Sequence, residues 1–219
     1  FEGALRGMRN PKESWKKSDS YRLSESNPEY KARGGYFIGP NDMKLAQTLI
    51  KGGSEHRKFM QQIFVSVDIT APLYWWAEAD TYRVAITKNS TSKMHKLAST
   101  PIAIDCFEID DYDPSITEEI ETGVNLSGEK LIIQFCESLR QKYLETKDKK
   151  YWKELIRWLP EGWLQKRTMT MNYENLYTMY HQRKDHKLNE WSGKDNPENT
   201  NFIAWLKTLP YSKELIIDN

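Results

Sequence analysis

What the chain lacks narrows its chemistry first. No stretch is both long and uncharged enough to cross a bilayer, so no membrane span is expected. The N-terminus shows no secretory pattern, which points to the cytoplasm. Cysteine is scarce. Cys106 and Cys136 are the only two in 219 residues, and both sit in apolar patterns without metal-ligand spacing. A disulfide framework is excluded, and reduced core thiols are expected. An excess of one charge is also missing. With 32 basic and 31 acidic residues the net charge is +1, which argues against a nonspecific nucleic-acid binder.

Familiar catalytic signatures are absent as well. There is no G-x-S-x-G elbow. GGYFIGP, residues 34–40, lacks the strand-to-helix context and the terminal Lys-Ser/Thr of a phosphate loop. His56, His95, His181 and His186 are too scattered to define a triad. The last two are five apart, on different faces of any helix, so no zinc pair is expected. Asp105, Glu108, Asp110, Asp111 and Asp113 lack the glycine and terminal glutamate of a calcium loop and read as a solvated acidic turn. No metal is expected.

Aromatics are abundant by contrast, with eight Trp and twelve Tyr. Such rings fill cores and interfaces or serve as stacking platforms, and most are expected to be structural. Residues 1–40 read as a loop-rich arm, dense in Gly, Pro, Ser and Asn. NDMKLAQTLIKGG then reads as a helix capped by Asn41 and stopped by Gly52. A second short helix starts near Ser54. In IFVSVDIT, residues Ile63, Val65, Val67 and Ile69 alternate as in a strand.

Pro72 suits the first turn of the next helix, APLYWWAEADTYR, whose expected inner face is Leu73, Trp76 and Ala77. IAIDCFEI, residues 102–109, is a second strand candidate. A long helix follows Gly128 with Leu131, Phe135, Leu139 and Tyr143 in register, and KKYWKELIRWLP is another, ended by Pro160. TMTM, residues 168–171, reads as a short strand. Asn172 caps a helix containing Leu176 and Tyr180, and a last helix covers about 200–208. With no repeat or linker, the chain reads as one helix-rich α/β domain over residues 1–219.

Cations fall in groups: Arg6 and Arg9; Arg83, Lys88, Lys93 and His95; Lys166 and Arg167; and Arg183, Lys184, His186 and Lys187. Each group alone is an ordinary solvated surface. Gathered together and interleaved with Tyr and Trp, they suit a ligand carrying both phosphates and planar rings, such as a nucleotide or a flavin.

The order of these residues resembles the flavin-dependent thymidylate synthases. That family carries an Arg-His-Arg-x-x-Ser…Asn-x-x-Ser-x-Arg signature after a helix led by Ala-Pro. Here Ala71-Pro72 opens the helix, and the triplet falls on Thr81, Tyr82 and Arg83. After one extra residue, Asn89 and Ser92 take the Asn-x-x-Ser places, and the following arginine falls on Met94, flanked by Lys93 and His95. SEHRKF places His56 like the family's flavin-contacting histidine, and FEGALRGMRNP is similar to its opening strand and turn. In LPEGWLQKRTMTMNYENLYTMYHQRKDHKLNEW, Asn172, Leu176, Arg183, His186 and Glu190 take the places of the family's ending.

The resemblance implies an α+β fold around a central, mainly antiparallel sheet flanked by helices, assembled as a homotetramer with shared sites. It implies reductive methylation of dUMP or a related pyrimidine nucleotide, with FAD, NADPH and methylenetetrahydrofolate. Carried over by position, His56, Thr81, Tyr82, Arg83, Asn89, Asn172 and His186 contact flavin. Ser92 with Lys93 or His95 holds the nucleotide phosphate, and Arg183 reaches the uracil or its phosphate as the catalytic and substrate-binding group. Plainer readings stand beside these: Asn172 as a helix cap, Arg183 as a dipole partner, His56 as a surface residue, Asn89 and Ser92 as turn residues. The functional alternatives are a non-catalytic nucleotide-binding or interaction protein on the same fold, and an unrelated α/β module touching nucleic acid.

Overall fold

The computed structural model describes residues 1–119, 123 and 125–219. Helix and strand are mixed, as expected. In chain order, helix α1 (Glu2–Arg9) precedes the short paired strands β1 (Tyr21–Arg22) and β2 (Tyr36–Phe37) and helix α2 (Pro40–Lys51). A 3-10 helix, Arg57–Gln62, leads into strand β3 (Phe64–Pro72), helix α3 (Leu73–Ala79), strand β4 (Thr87–Ser90) and the one-turn helix α4 (Lys93–Lys96). Strands β5 (Thr117–Glu119) and β6 (Asn125–Ser127) form an antiparallel pair. Helices α5 (Gly128–Thr146) and α6 (Lys149–Trp158), strand β7 (Leu164–Asn172) and helix α7 (Tyr173–Arg183) follow. Helices α8 (Asn189–Ser192) and α9 (Phe202–Lys207) and a π turn, Lys213–Ile217, end the chain. Among the described residues no helix is long and apolar enough to cross a membrane.

The main sheet has the order β3-β7-β4. Along β3, Val65, Val67 and Ile69 are half-buried while Phe64, Ser66, Asp68 and Thr70 are exposed, so the period-two reading holds. Ser66 bonds Thr170 at 2.8 Å, and the Thr168 hydroxyl donates to Asp68 at 2.7 Å. Numbers rise on one strand as they fall on the other, so the pair is antiparallel.

The chain forms two compact units. The first comprises Phe1–Val67, Tyr82–Thr87 and Met169–Asn219. Its N-terminal part is more ordered than a loop-rich arm: FEGALRGMR forms α1 rather than a strand. Gly3 and Gly7 lie against Gln62, where an added Cβ on Gly7 would meet the carboxamide at 2.6 Å, so close packing uses residues that disfavour a helix. Helix α2 begins at Pro40, with Gly39 as its cap rather than Asn41, because proline's fixed φ suits the first helical position. Gly53, at φ +99°, rather than Gly52, takes the left-handed conformation beyond its end. Asp42, in the first turn of α2, is fully buried. Its carboxylate accepts from Arg9 Nε, Ser18 Oγ and Ser20 Oγ at 2.6 Å each, which ties α1 and the following segment to α2.

The second unit comprises Asp68–Thr81 and Lys88–Thr168. Because β3 continues through Pro72, α3 starts at Leu73 and turns Trp75, Trp76 and Ala79 inward, leaving Ala77 exposed. IAIDCFEI is not a strand. Ile104–Cys106 is a 3-10 turn, and only Phe107 pairs, as an isolated bridge to Trp163. In α5 the buried stripe is offset by one residue from the expected register: Cys136 and Arg140 are buried and Phe135 is 47% exposed. The offset places Arg140 against Glu137 at 2.7 Å, while Glu137 accepts the Ile102 amide and Arg140 donates to the Ala98 carbonyl. These bonds anchor the loop that leads into the unit's core of Leu97, Ile102, Phe107, Cys136 and Leu155.

Removing the Asp42 carboxylate strands a buried guanidinium, so Asp42→Ala is expected to cost about 3–5 kcal/mol in urea-unfolding free energy. The hydrogen bond from Arg140 holds the Glu137 carboxyl at about 2 against an ordinary 4.5. A depressed carboxyl stabilises the fold fully above its unfolded value and loses that contribution as pH falls through its folded value. Acid titration of wild type and Glu137→Gln is therefore expected to show a stability difference that shrinks from pH 4.5 toward 2.

Candidate functional site

In the first unit, helix α7 starts at Asn172, whose side chain accepts the Asn175 amide at 3.0 Å while Asn175 accepts the Asn172 amide at 3.1 Å. This reciprocal capping box makes Asn172 a buried helix cap. At the other end of α7, Arg183 Nε donates to the Tyr82 hydroxyl at 3.0 Å, and that hydroxyl donates to Gln182 Oε1 at 2.7 Å. The Arg183 guanidinium lies 5.1 Å from the Trp191 ring and 5.6 Å from the Tyr82 ring, within cation–π range of both. His186 packs edge-on to Trp191 at 6.4 Å, and its Nδ1 accepts the Leu188 amide, which leaves the proton of a neutral ring on Nε2. Tyr82, distant in sequence, thus joins Arg183 and His186 in one cluster around Trp191.

The Asn175 carboxamide holds the Val84 carbonyl at 3.0 Å, in the loop where Ala85 takes a left-handed φ of +56°. Arg83 and His56 are exposed. His56's neighbour Arg57, which the sequence reading passed over, pairs with Glu174 at 2.8 Å and stacks over Tyr177 at 4.4 Å. Arg9 is used up on Asp42, and Arg6 pairs with Glu2 at 2.9 Å over the Trp15 ring. Neither lines the cavity of the second unit.

In the second unit, Ser92 and Lys93 open onto a cavity of about 280 Å³, which Lys96, Lys166, Cys106 and Trp163 also line. Three lysines share this wall, and Asp68 pairs with only one of them, Lys166, at 3.0 Å. Lysine ammoniums beside serine and threonine hydroxyls are a donor set for an oxyanion. At about 280 Å³ the cavity lies just below the usual range of small-molecule sites, roughly 300–1,000 Å³. Asn89 is exposed on β4. The Thr81 hydroxyl donates to the Glu78 carbonyl at 2.7 Å, closing the end of α3. The side chain of His95 lies outside the described residues.

Behind the cavity stands a polar network built on β7. Arg167 donates to both Asp80 oxygens at 3.0 and 3.1 Å, stacks on Trp76 at 4.4 Å, and donates to Gln165 Oε1 at 3.1 Å. Lys88 donates to Asp80 at 3.0 Å and to the Ala79 carbonyl at 2.6 Å. Burial pushes the Asp80 carboxyl up, but the bonds from Lys88 and Arg167 outweigh it and hold the group below the usual carboxylate range. The basic pair Lys166-Arg167 signalled this region in the sequence. Gln165, uncharged, gave no signal.

Glu108 and Asp113 cap their own turn by accepting the Asp110 and Ser115 amides at 3.0 and 2.9 Å. Among the described residues no group of His, Cys, Asp or Glu is placed to hold a metal ion.

No protein-family model matches the chain, and no curated protein matches it. Solved structures do. The fold is similar to that of a flavin-dependent thymidylate synthase. A crystal structure of ThyX from Helicobacter pylori complexed with FAD and dUMP matches with TM-score 0.61 and 16% identity, over 99% of this chain and 93% of that one. A second structure of the same enzyme with FAD and dUMP matches at 17% identity and TM-score 0.61, over 99% of this chain and 92% of that one. At these identities the likeness is one of fold, and it covers the architecture expected from the residue order.

The two thiols separate cleanly. Cys106 lines the cavity, whereas Cys136 is 0% exposed and burial pushes its thiol pKa up. Iodoacetamide on the native protein is expected to alkylate Cys106 and spare Cys136 until denaturant is added, as read by peptide mass spectrometry.

Proposed function

We propose that the chain, over residues 1–219, is a divergent flavin-dependent thymidylate synthase-like enzyme that reductively methylates dUMP or a related pyrimidine nucleotide. The observation that carries this is the lysine-lined cavity. It lies at Ser92 and Lys93, where the residue order places the nucleotide phosphate, in a chain folded like ThyX. Met94 holds the place of the family's arginine, and Lys96 and Lys166 bring the positive charge to the same cavity from outside that position.

On this reading the protein binds, orients and polarises. Ser92, Lys93, Lys96 and Lys166 hold the phosphate. Arg183, kept in place by Tyr82 and Trp191 within the first unit, is the group that the residue order assigns to the uracil or its phosphate. FAD, when bound, supplies hydride, with NADPH as its source and methylenetetrahydrofolate as the carbon donor. His56, Arg83 and Asn89, all exposed, together with Tyr82, His186, Thr81 and the Asn172 end of α7, are the residues for that group. A ligand held largely by exposed residues suits sites shared within a homotetramer, and the absence of a membrane-spanning helix among the described residues is consistent with a cytoplasmic enzyme.

One observation favours a second reading, a nucleotide-binding protein without catalysis. Two positions of the flavin triplet carry Thr81 and Tyr82 instead of cations, and their hydroxyls bond Glu78 and Gln182. Each missing charge-assisted bond is worth about 1.5–3 kcal/mol.

Titration with FAD in the presence of dUMP separates the two. A flavin absorbance band retained on gel filtration supports the enzyme, while dUMP binding without flavin uptake at millimolar concentration supports the second reading. Lys166→Met is expected to raise the dUMP Kd about tenfold or more through loss of one charge-assisted contact. An unchanged Kd would remove the phosphate from this cavity.

A further inference from the structure

The network behind the cavity touches no position that the residue order assigns to a ligand, yet it ends on the cavity wall. Gln165 Nε2 donates to the Thr91 carbonyl at 2.8 Å, and the Thr91 amide donates to the Lys166 carbonyl at 2.9 Å. Thr91 is therefore fixed at both its carbonyl and its amide to strand β7, one residue before Ser92. The carboxamide of Gln165 is itself held by Arg167, and the Trp76 indole donates to the Gln165 carbonyl at 2.8 Å. Arg167 is in turn gripped by Asp80 and stacked on Trp76, and the Arg167 and Lys88 side chains are only 15% and 14% exposed.

Helix α4 has a single turn, and Ser92 makes no side-chain cap bond to it. Such a helix has little stability of its own. The presentation of Ser92 and Lys93 to the cavity then depends on how firmly Thr91 is held.

We propose that Asp80, Lys88 and Arg167 are positioning residues which act through Gln165 to hold the Thr91–Lys93 wall of the cavity in its ligand-binding geometry. The proposal rests on the reading of that cavity as the nucleotide phosphate site. The carboxylate of Asp80 fixes the guanidinium, the guanidinium orients the carboxamide, and the carboxamide holds the Thr91 carbonyl. Orientation matters at each step, because a planar guanidinium that sets Nη1 on both Asp80 oxygens and Nε on the Gln165 carboxamide cannot be replaced by a point charge.

The test uses the full chain in two variants, Asp80→Asn and Arg167→Lys, with Asp80→Glu as the conservative control. Hydrogen exchange is read by mass spectrometry on peptides covering 91–97, and the dUMP Kd is measured alongside, with urea unfolding as the check on global stability. In both variants, exchange at 91–97 and the dUMP Kd are expected to rise about tenfold, as for displaced binding groups, while the urea midpoint stays near wild type. Asp80→Glu is expected to recover most of the affinity, and Arg167→Lys not to, although it keeps the charge. Unchanged exchange and affinity in folded variants would overturn the proposal and leave the nucleotide reading intact. If wild type itself binds no dUMP, the nucleotide reading falls, and the exchange measurement alone decides whether the network orders the wall.

Discussion

The structure depends on strand β7 being seated between β3 and β4. A central strand must satisfy its backbone groups on both sides, and its partners come from distant sequence: Ser66 meets Thr170 across 104 positions. Such pairing delays any reward until a long loop has closed, so it needs strong local reinforcement once made. The reinforcement is visible along the strand. Met169 and Met171 are fully buried, Thr168 and Thr170 bond across to β3 on the open face, and Asn172 ends the strand as the cap of α7. The same strand carries Gln165, Lys166 and Arg167. Seating it therefore builds the cavity wall and the network behind that wall at the same moment.

Both units place charge where packing is tight, and in each the carboxylate is surrounded by donors. Asp42 would be costly to bury alone, but one guanidinium, two hydroxyls and the Asp19 amide surround it. Glu137 and Arg140 do the same work in the second unit, where they fix the approach to Ile102. These ion pairs occupy positions that would be apolar in a simpler core. That is why the helix stripes in this chain are hard to read from hydrophobicity: α2 turns Asp42 inward, and α5 turns Arg140 inward in place of Phe135.

Where periodicity was unopposed, the sequence was legible. The alternation from Ile63 to Ile69, the helices after Gly128 and Asp148, and the Asn172 cap all follow from side-chain spacing and capping chemistry. It was illegible where long-range packing reversed a local preference. Gly3 and Gly7 argue against a helix, yet they lie in α1, packed against the Gln62 side chain. IAIDCFEI has strand composition, but only Phe107 finds a partner. In the candidate site, the residue order picked out Tyr82, Arg183 and His186, which do meet, and Ser92 and Lys93, which do line the cavity. It missed Gln165 and Trp191, because an amide and a ring carry no charge signal and their roles come from neighbours distant in sequence.

The pattern of substitution in the motif region has a physical logic when seen with the structure. An arginine fork in a short signature supplies charge and direction together. On the proposed reading the matching position is Met94, and the two functions are separated. Charge comes from Lys93, Lys96 and Lys166, which are point charges with flexible stems. Direction is the property such lysines lack, so the wall that presents them must be stiff. Arg167 supplies a fork, but aims it at Asp80 and Gln165 instead of at the ligand. On the proposed function, rigidity behind the wall would substitute for the geometry that a signature arginine supplies in front of it.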